Sequence, residues 1–250
     1  MGSWRFNNDR GGTLGVSPQT ITNAIGMETR AQLEARLADR IGQILHDEIE
    51  KNGKASLLVS GGSTPKGLFE KLSGLAIPWD NVTISLVDDR FVADNHPDQN
   101  GTMVKELLLQ QAASNASFVP LISGNDIDAS LKEASAAIKS IAPPYTIVIL
   151  GVGEDGHTAS IFPDSEEMER AISVYTSEAL MVTNSRLLPY SRITFTLNAL
   201  LNSKHIFVHC FGVIKGRIID EARQQEGARP YPIAAFLNQT KTPIEVYWTE

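Results

Sequence analysis

A chain of 250 residues that is 42% hydrophobic and 20% charged has ordinary globular composition, which excludes a disordered or fibrous protein and leaves room for one large domain or two small ones. Its formal charge of −7 excludes the basic footprint that a nucleic-acid surface needs to displace counterions. The single cysteine, Cys210, excludes an internal disulfide, and no apolar run approaches bilayer length, so no membrane partner is expected.

Residues 1–17 are polar and contain glycine, show no periodic signal and are expected to be poorly ordered; nothing there reads as a basic-then-apolar leader, which points to a cytoplasmic protein. Residues 18–250 are expected to form a single domain, since no fixed-period repeat and no Pro/Ser/Gly linker divides them. Leu33, Leu37, Ile41, Ile44, Leu45 and Ile49 recur at three- and four-residue steps ahead of Asn52-Gly53, predicting an amphipathic helix and its stop. Residues 55–59 read as a buried strand, followed by a glycine-rich turn and a helix from Pro65, whose fixed φ suits a first helical position. The chain continues with strand 82–87, a polar loop through Pro97, helix 101–113, a weaker helix 129–139, strand 145–150 and a second glycine-rich turn. Strand 193–195, strand 205–211, helix 213–223 and strand 244–248 complete it. Strands alternating with helices predict a three-layer α/β fold: a mostly parallel, doubly wound, Rossmann-like sheet with helices on both faces. Such sheets bind ligands beyond the carboxyl ends of their strands, so the loops that follow strands are where chemistry is sought.

Ser60-Gly61-Gly62-Ser63-Thr64-Pro65 is the first such loop. Its glycines let the backbone curl several N–H groups toward one point, the following helix adds positive potential, and Ser63 and Thr64 add hydroxyls, which together suit a phosphate. A tight turn with Thr64 as N-cap is the plainer alternative, and the P-loop lysine spacing is absent. Asp88-Asp89-Arg90 follows strand 82–87; it is either a substrate-positioning cluster or a solvated ion pair at a strand end.

The third loop, Gly151-Val152-Gly153-Glu154-Asp155-Gly156-His157, contains G-x-G-x-x-G. A dinucleotide turn should open a helix, whereas Pro163 and Asp164 interrupt within two turns, and Glu154 and Asp155 would face a pyrophosphate. The same residues suit a catalytic loop. His157 is the side chain type that exchanges protons near neutrality, a carboxylate beside it fixes its tautomer, and glycines allow close backbone approach by a ligand. A loop histidine with no role is the ordinary alternative; two carboxylates within three positions favour the chemical reading, with Glu154 and Asp155 equally placed by spacing.

His205 and His209 have i, i+4 spacing, but their segment alternates and is rich in Ile, Phe and Val, so it reads as a strand. Four residues of strand separate them by about 13 Å, at roughly 3.3 Å per residue, too far for one metal, and no metal site is expected. His46 and His96 receive no role. Arg192 precedes strand 193–195, and Lys215 falls in the first turn of a helix, where a cation opposes the helix dipole unless an anion is bound.

Taken in order, residues 60–65, Asp88-Asp89-Arg90, residues 151–163, Arg192-Ile193-Thr194 and residues 212–215 resemble the 6-phosphogluconolactonase family. So do Trp79-Asp80, His96-Pro97-Asp98-Gln99-Asn100 and Tyr231-Pro232, and the resemblance runs through almost the whole chain from the first helix. It implies the fold of the sugar-phosphate isomerases and deaminases and hydrolysis of 6-phosphoglucono-δ-lactone to 6-phosphogluconate, in the oxidative pentose phosphate pathway, with no metal or organic cofactor. It implies His157 as the base that activates water, Glu154 or Asp155 as its orienting group, and Arg90 near the lactone. Ser60, Gly61, Gly62, Ser63, Thr64, Arg192 and Lys215 would hold the phosphate and Asp88 would lie at the substrate. The expected partner is this small phosphosugar lactone, bound by a monomer or small homo-oligomer. The sequence departs from the family where Asp89 stands for a usual glutamate, Ile161 for a leucine, and Gln99 for a serine.

The neighbouring class is glucosamine-6-phosphate deaminase, an aldose–ketose isomerase that shares the glycine-rich turn and the Asp-Gly-His loop. Its members carry tyrosine in place of Arg90 and Asn-Glu-Pro where this chain has Ile161-Phe162-Pro163. A non-catalytic sugar-phosphate-binding protein is a third possibility on the same fold, distinguished by binding without turnover.

Overall fold

The computed structural model describes residues 28–224 and 231–250; the expectation of disorder for residues 1–17 lies outside the described residues. Helix α1 (Arg30–Asn52) starts at Thr29, whose side chain accepts from the Gln32 backbone while the Gln32 side chain accepts from the Thr29 N–H. This reciprocal cap satisfies donors that a helix start leaves open. The helix ends at Gly53, which adopts φ 75° and returns its N–H to the Ile49 carbonyl. Leu33, Leu37, Ile41 and Leu45 form its buried stripe.

The chain continues through β1 (Ala55–Val59), α2 (Lys66–Ser73), β2 (Val82–Leu86), β3 (Asp88–Arg90), α3 (Asn100–Met103), β4 (Ser117–Val119), α4 (Ile127–Ala137) and β5 (Tyr145–Leu150). Then come α5 (Met168–Ala171), β6 (Leu180–Thr183), β7 (Arg192–Phe195), α6 (Leu197–Leu200), β8 (Ser203–Phe211), α7 (Val213–Gln224), α8 (Pro232–Leu237) and β9 (Ile244–Thr249). Six strands form one parallel sheet in the order β4-β2-β1-β5-β8-β9. β1 and β5 are buried along their whole lengths, as strands covered on both faces must be. This is the doubly wound layer structure that the alternation predicts.

The strand order reverses between β1 and β5. From β1 the sheet grows outward through β2 to β4, and from β5 through β8 to β9. Two adjacent parallel strands whose connections leave in opposite directions open a crevice beyond their carboxyl ends. The loops that follow them are residues 60–65 and the histidine loop.

A second sheet, antiparallel and three-stranded in the order β3-β7-β6, departs from the single sheet expected. Residues 88–90 are one of its strands rather than a free loop, and residues 192–195 pair there rather than in the main sheet. The Phe195 N–H reaches the Val87 carbonyl and the Val87 N–H the Val59 carbonyl, so the small sheet hangs from the end of β2. The expected helix 101–113 is broken up: α3 passes into a π turn at Val104–Leu108, where the Leu109 N–H closes on the Val104 carbonyl, and a 3₁₀ turn at Gln111–Asn115 follows. The wider turn keeps Val104 and Leu108 buried on one side.

Leu57 lies mid-strand in β1 with no exposed surface, so Leu57→Ala leaves a void as well as losing transfer energy. A loss of about 3 kcal/mol is expected, read as a lower urea midpoint with unchanged slope; a midpoint equal to wild type would show that the sheet centre tolerates a cavity.

Candidate active site

The turn after β1 is shaped by close approach. A Cβ on Gly61 would stand 1.8 Å from the Asn100 Oδ1, so only glycine fits, and Gly62 turns the chain at φ 85°. Pro65, not Thr64, occupies the N-cap position of α2, and no side chain caps this helix. Ser63 and Thr64 line the crevice, and neither hydroxyl caps the helix. Ser60 differs: its Oγ donates to the Ile149 carbonyl at 2.8 Å and accepts from the Gly151 N–H at 3.0 Å. Its proton ties the two loops together rather than standing free for a ligand.

The histidine loop does not open a helix. The Gly153 N–H reaches the His157 carbonyl, the Gly156 N–H reaches the Gly153 carbonyl, and Thr158 and Ile161 form a bridge, with no helix before α5. The dinucleotide reading lacks the helix it requires. The His157 Nδ1 lies 2.6 Å from the Asp155 Oδ1, which also accepts the His157 backbone N–H at 3.1 Å. Glu154 is exposed, and Asp155 is the carboxylate that pairs with the ring. Burial works against charge on Asp155, yet the hydrogen bond and charge of His157 outweigh it and hold the carboxyl below its ordinary value. A Cβ on Gly153 would fall 2.1 Å from the His157 Nδ1, so this pairing needs glycine there. Phe162 backs the imidazole with ring centroids 4.9 Å apart.

β3 carries two buried carboxylates. Asp88 accepts from the Ser160 hydroxyl at 2.5 Å; burial raises its pKa against the opposing pull of that hydroxyl and of Arg90, His157 and Arg192. Asp89 accepts the backbone N–H groups of Arg90 at 2.8 Å, Asn100 at 2.6 Å and Gly101 at 3.0 Å. Burial nevertheless pushes it up to about 7. Neither is the solvated ion-pair partner that sequence allowed. Asp89 pins the Asn100 loop, and Arg90 donates from Nη1 to the Asp98 carbonyl at 2.6 Å and to the Asn100 Oδ1 at 3.0 Å.

These elements enclose an open cleft of about 230 Å³. Ser60, Gly61, Gly62, Ser63, Thr64, Asp88, Arg90, His157 and Lys215 line it, and Asp155 stands behind His157. Glu154 and Arg192 do not line it. Arg192 is drawn aside because its Nη1 donates to the Pro189 carbonyl at 2.5 Å and to that of Tyr190, with the guanidinium 5.6 Å from the Phe162 ring centroid.

Two lining residues escape the sequence reading. Asn100 is buried, donates from Nδ2 to the Asp88 carbonyl and meets Arg90; only its place in the motif 96–100 hinted at a role. His209 lines the cleft near the carboxyl end of β8, is 2% exposed, and has no partner for either ring nitrogen. Burial, and secondarily the charge of Lys215, depress its pKa to about 4. Its position at a strand's carboxyl end was the available signal.

Residues 28–248 match the family described as Glucosamine-6-phosphate isomerases/6-phosphogluconolactonase. The chain is similar to the 6-phosphogluconolactonase of Rhizobium meliloti (strain 1021), 35% identical over 222 residues that cover 88% of this chain and 96% of that protein. To the 6-phosphogluconolactonase of Mesorhizobium japonicum it is 37% identical over 220 residues, 88% of this chain and 92% of that protein. The crystal structure of a 6-phosphogluconolactonase from Shewanella baltica OS155 matches at a TM-score of 0.85 and 39% identity, covering 89% of this chain and 95% of that one.

The state of His209 sets a pH dependence. Between its folded value of about 4 and the ordinary 6.5 the unfolded chain binds the extra proton, so this contribution to stability is full above 6.5 and lost as pH falls toward 4. The difference amounts to about 3 kcal/mol. Urea unfolding at pH 7 and pH 4 is expected to show a smaller acid loss in His209→Phe than in wild type by about that amount; equal losses would mean that His209 is not held neutral.

Proposed function

The chain belongs to the glucosamine-6-phosphate isomerase/6-phosphogluconolactonase family, and from that membership and its cleft we propose that it is a carboxylic ester hydrolase that opens 6-phosphoglucono-δ-lactone to 6-phosphogluconate in the oxidative pentose phosphate pathway. The observation that carries this reading is the His157–Asp155 pair, 2.6 Å apart, on the wall of a cleft that also holds Arg90, the 60–65 turn and Lys215.

Asp155 accepts a hydrogen bond from Nδ1–H and leaves the Nε2 lone pair of His157 free. Nε2 takes a proton from water as the oxygen attacks the lactone carbonyl carbon, and the carbonyl oxygen becomes an oxyanion. Arg90 stabilises that charge from a guanidinium already oriented by Asp98 and Asn100, so little reorganisation accompanies the reaction. When the tetrahedral intermediate collapses, the ring C–O bond breaks and imidazolium returns the proton to the departing alkoxide. The products are the open hydroxy acid and neutral His157.

The substrate's phosphate lies between the backbone N–H groups and hydroxyls of residues 61–64 and the Lys215 ammonium. Ser60 acts on it by holding the turn, and Arg192 by its field from beside Arg90 on the next strand. Asp88, buried and partnered by Ser160, positions the floor of the cleft. A δ-lactone is an activated ester, so a base, an oriented water and a cation suffice for its hydrolysis. The deaminase alternative is disfavoured by Arg90 and by Ile161-Phe162-Pro163. Among the described residues no helix is long and apolar enough to cross a membrane, and a cytoplasmic location is proposed with the substrate.

His157→Ala is expected to lower lactone turnover by about 10²- to 10⁴-fold after subtraction of spontaneous hydrolysis, with 6-phosphogluconate binding largely retained. Asp155→Asn lowers turnover through loss of the tautomer, whereas Glu154→Gln stays near wild type. Wild-type turnover in His157→Ala would remove the mechanism, and ammonia release from glucosamine 6-phosphate without lactonase activity would remove the function.

A further inference from the structure

Among the described residues His209 has an unusual position: both ring nitrogens are buried and neither has a hydrogen-bond partner. The side chain is 2% exposed, yet it lines the cleft. A buried polar group left unpaired is destabilising, and native proteins rarely keep one without a use. Shape does not require imidazole here. β8 alternates, so Phe207, His209 and Phe211 share a face, and the His209 ring packs edge-on to Phe211 with centroids 4.8 Å apart. A phenyl ring would fill the site with no polar cost.

We infer that His209 is a ligand-recognising residue of this cleft, whose imidazole donates a ring N–H to an oxygen at the phosphorylated end of the substrate. The inference deepens the function proposed above and rests on it for the identity of the substrate. Three observations converge. The ring shares the cleft with the 60–65 turn and Lys215, the elements that suit an anion. The Lys215 charge disfavours a second positive charge on the ring. Because the ring stays neutral, one nitrogen always carries a proton to donate, while Lys215 supplies the charge. Within the chain the nitrogens gain nothing; a bound phosphosugar supplies the missing acceptor. A metal-binding role is disfavoured by distance, since His205, the next histidine on the strand, lies about 13 Å away.

The test compares wild type, His209→Phe and His209→Asn. In His209→Phe, KM for the lactone and the dissociation constants for inorganic phosphate and 6-phosphogluconate are expected to rise about ten- to a hundredfold, with kcat little changed. Stability of the free protein at pH 7 should not fall, because no bond within the chain is lost. His209→Asn, which restores a neutral N–H, should recover part of the affinity. Independently of any variant, the ¹⁵N resonances of the wild-type His209 ring should shift as inorganic phosphate saturates the protein. Unchanged KM and dissociation constants in folded His209→Phe, or ring resonances that do not move with phosphate, would overturn the inference while lactone turnover by wild type still upheld the proposed function. If wild type shows no lactonase activity, that function fails, and the phosphate titrations alone decide the role of His209.

Discussion

One hydroxyl holds the two halves of the site in register. β1 and β5 are neighbours in the parallel sheet, with Val59 opposite Ile149, and at the point where both strands end Ser60 Oγ bonds to the Ile149 carbonyl and the Gly151 N–H. The anion-suited turn and the histidine loop therefore start from a common hydrogen-bonded origin at the place where the sheet's connections diverge. Parallel pairing alone would bring them close; the side-chain bridge fixes their separation beyond the last ladder bond. A loop pair positioned by a buried bond from a rigid strand end keeps its geometry better than loops held only by their own turns.

The small antiparallel sheet performs the same service from the other side. Ser160 meets all three of its strands: its hydroxyl donates to Asp88 on β3, its N–H donates to the Thr194 hydroxyl on β7, and its carbonyl accepts from the Thr183 hydroxyl on β6. Each polar group of a buried serine is satisfied by a different strand, and this locks the segment just after His157. On β3 the carboxylate of Asp89 gathers three backbone N–H groups and so carries Asn100 to Arg90. These buried acids serve architecture first, and they cost desolvation that only a full set of donors offsets.

The parallel core was legible because its strands are continuous apolar runs and its helices carry three- and four-residue apolar steps, patterns that local reading detects. The small sheet was not. Asp88-Asp89-Arg90 has no apolar alternation, β6 and β7 are four residues each, and what buries their polar side chains is a network assembled from residues dozens of positions apart. At the site, His157 stood out because its carboxylates are sequence neighbours, but spacing left Glu154 and Asp155 open; the tight turn at Gly153 and Gly156 points the second at the ring. The resemblance implied Arg192 as a phosphate ligand, whereas its Nη1 donates to the carbonyls of Pro189 and Tyr190. His209 was obscured by a sound argument: the alternation that ruled out a metal pair also made it look like one more strand residue.

The distribution of charge explains why an acidic chain can serve an anionic substrate. The chain carries a net −7, yet Arg90 and Arg192 stand opposite one another across the β3–β7 pair without a carboxylate ion-pair partner among the described residues. Burial, and after it the charge of Arg90, disfavours charge on Arg192. Lys215 adds a third cation at the start of α7, where the helix dipole already repels it. Asp88 also lines the cleft, and its burial favours the neutral form, which reduces the negative charge set against these cations. Arg90 and Lys215 both line the cleft, and low-dielectric walls strengthen their attraction for an anion relative to open water. In the proposed function the phosphate meets Lys215 and the lactone carbonyl meets Arg90, so the two cleft cations together select a substrate that is charged and long enough to engage both.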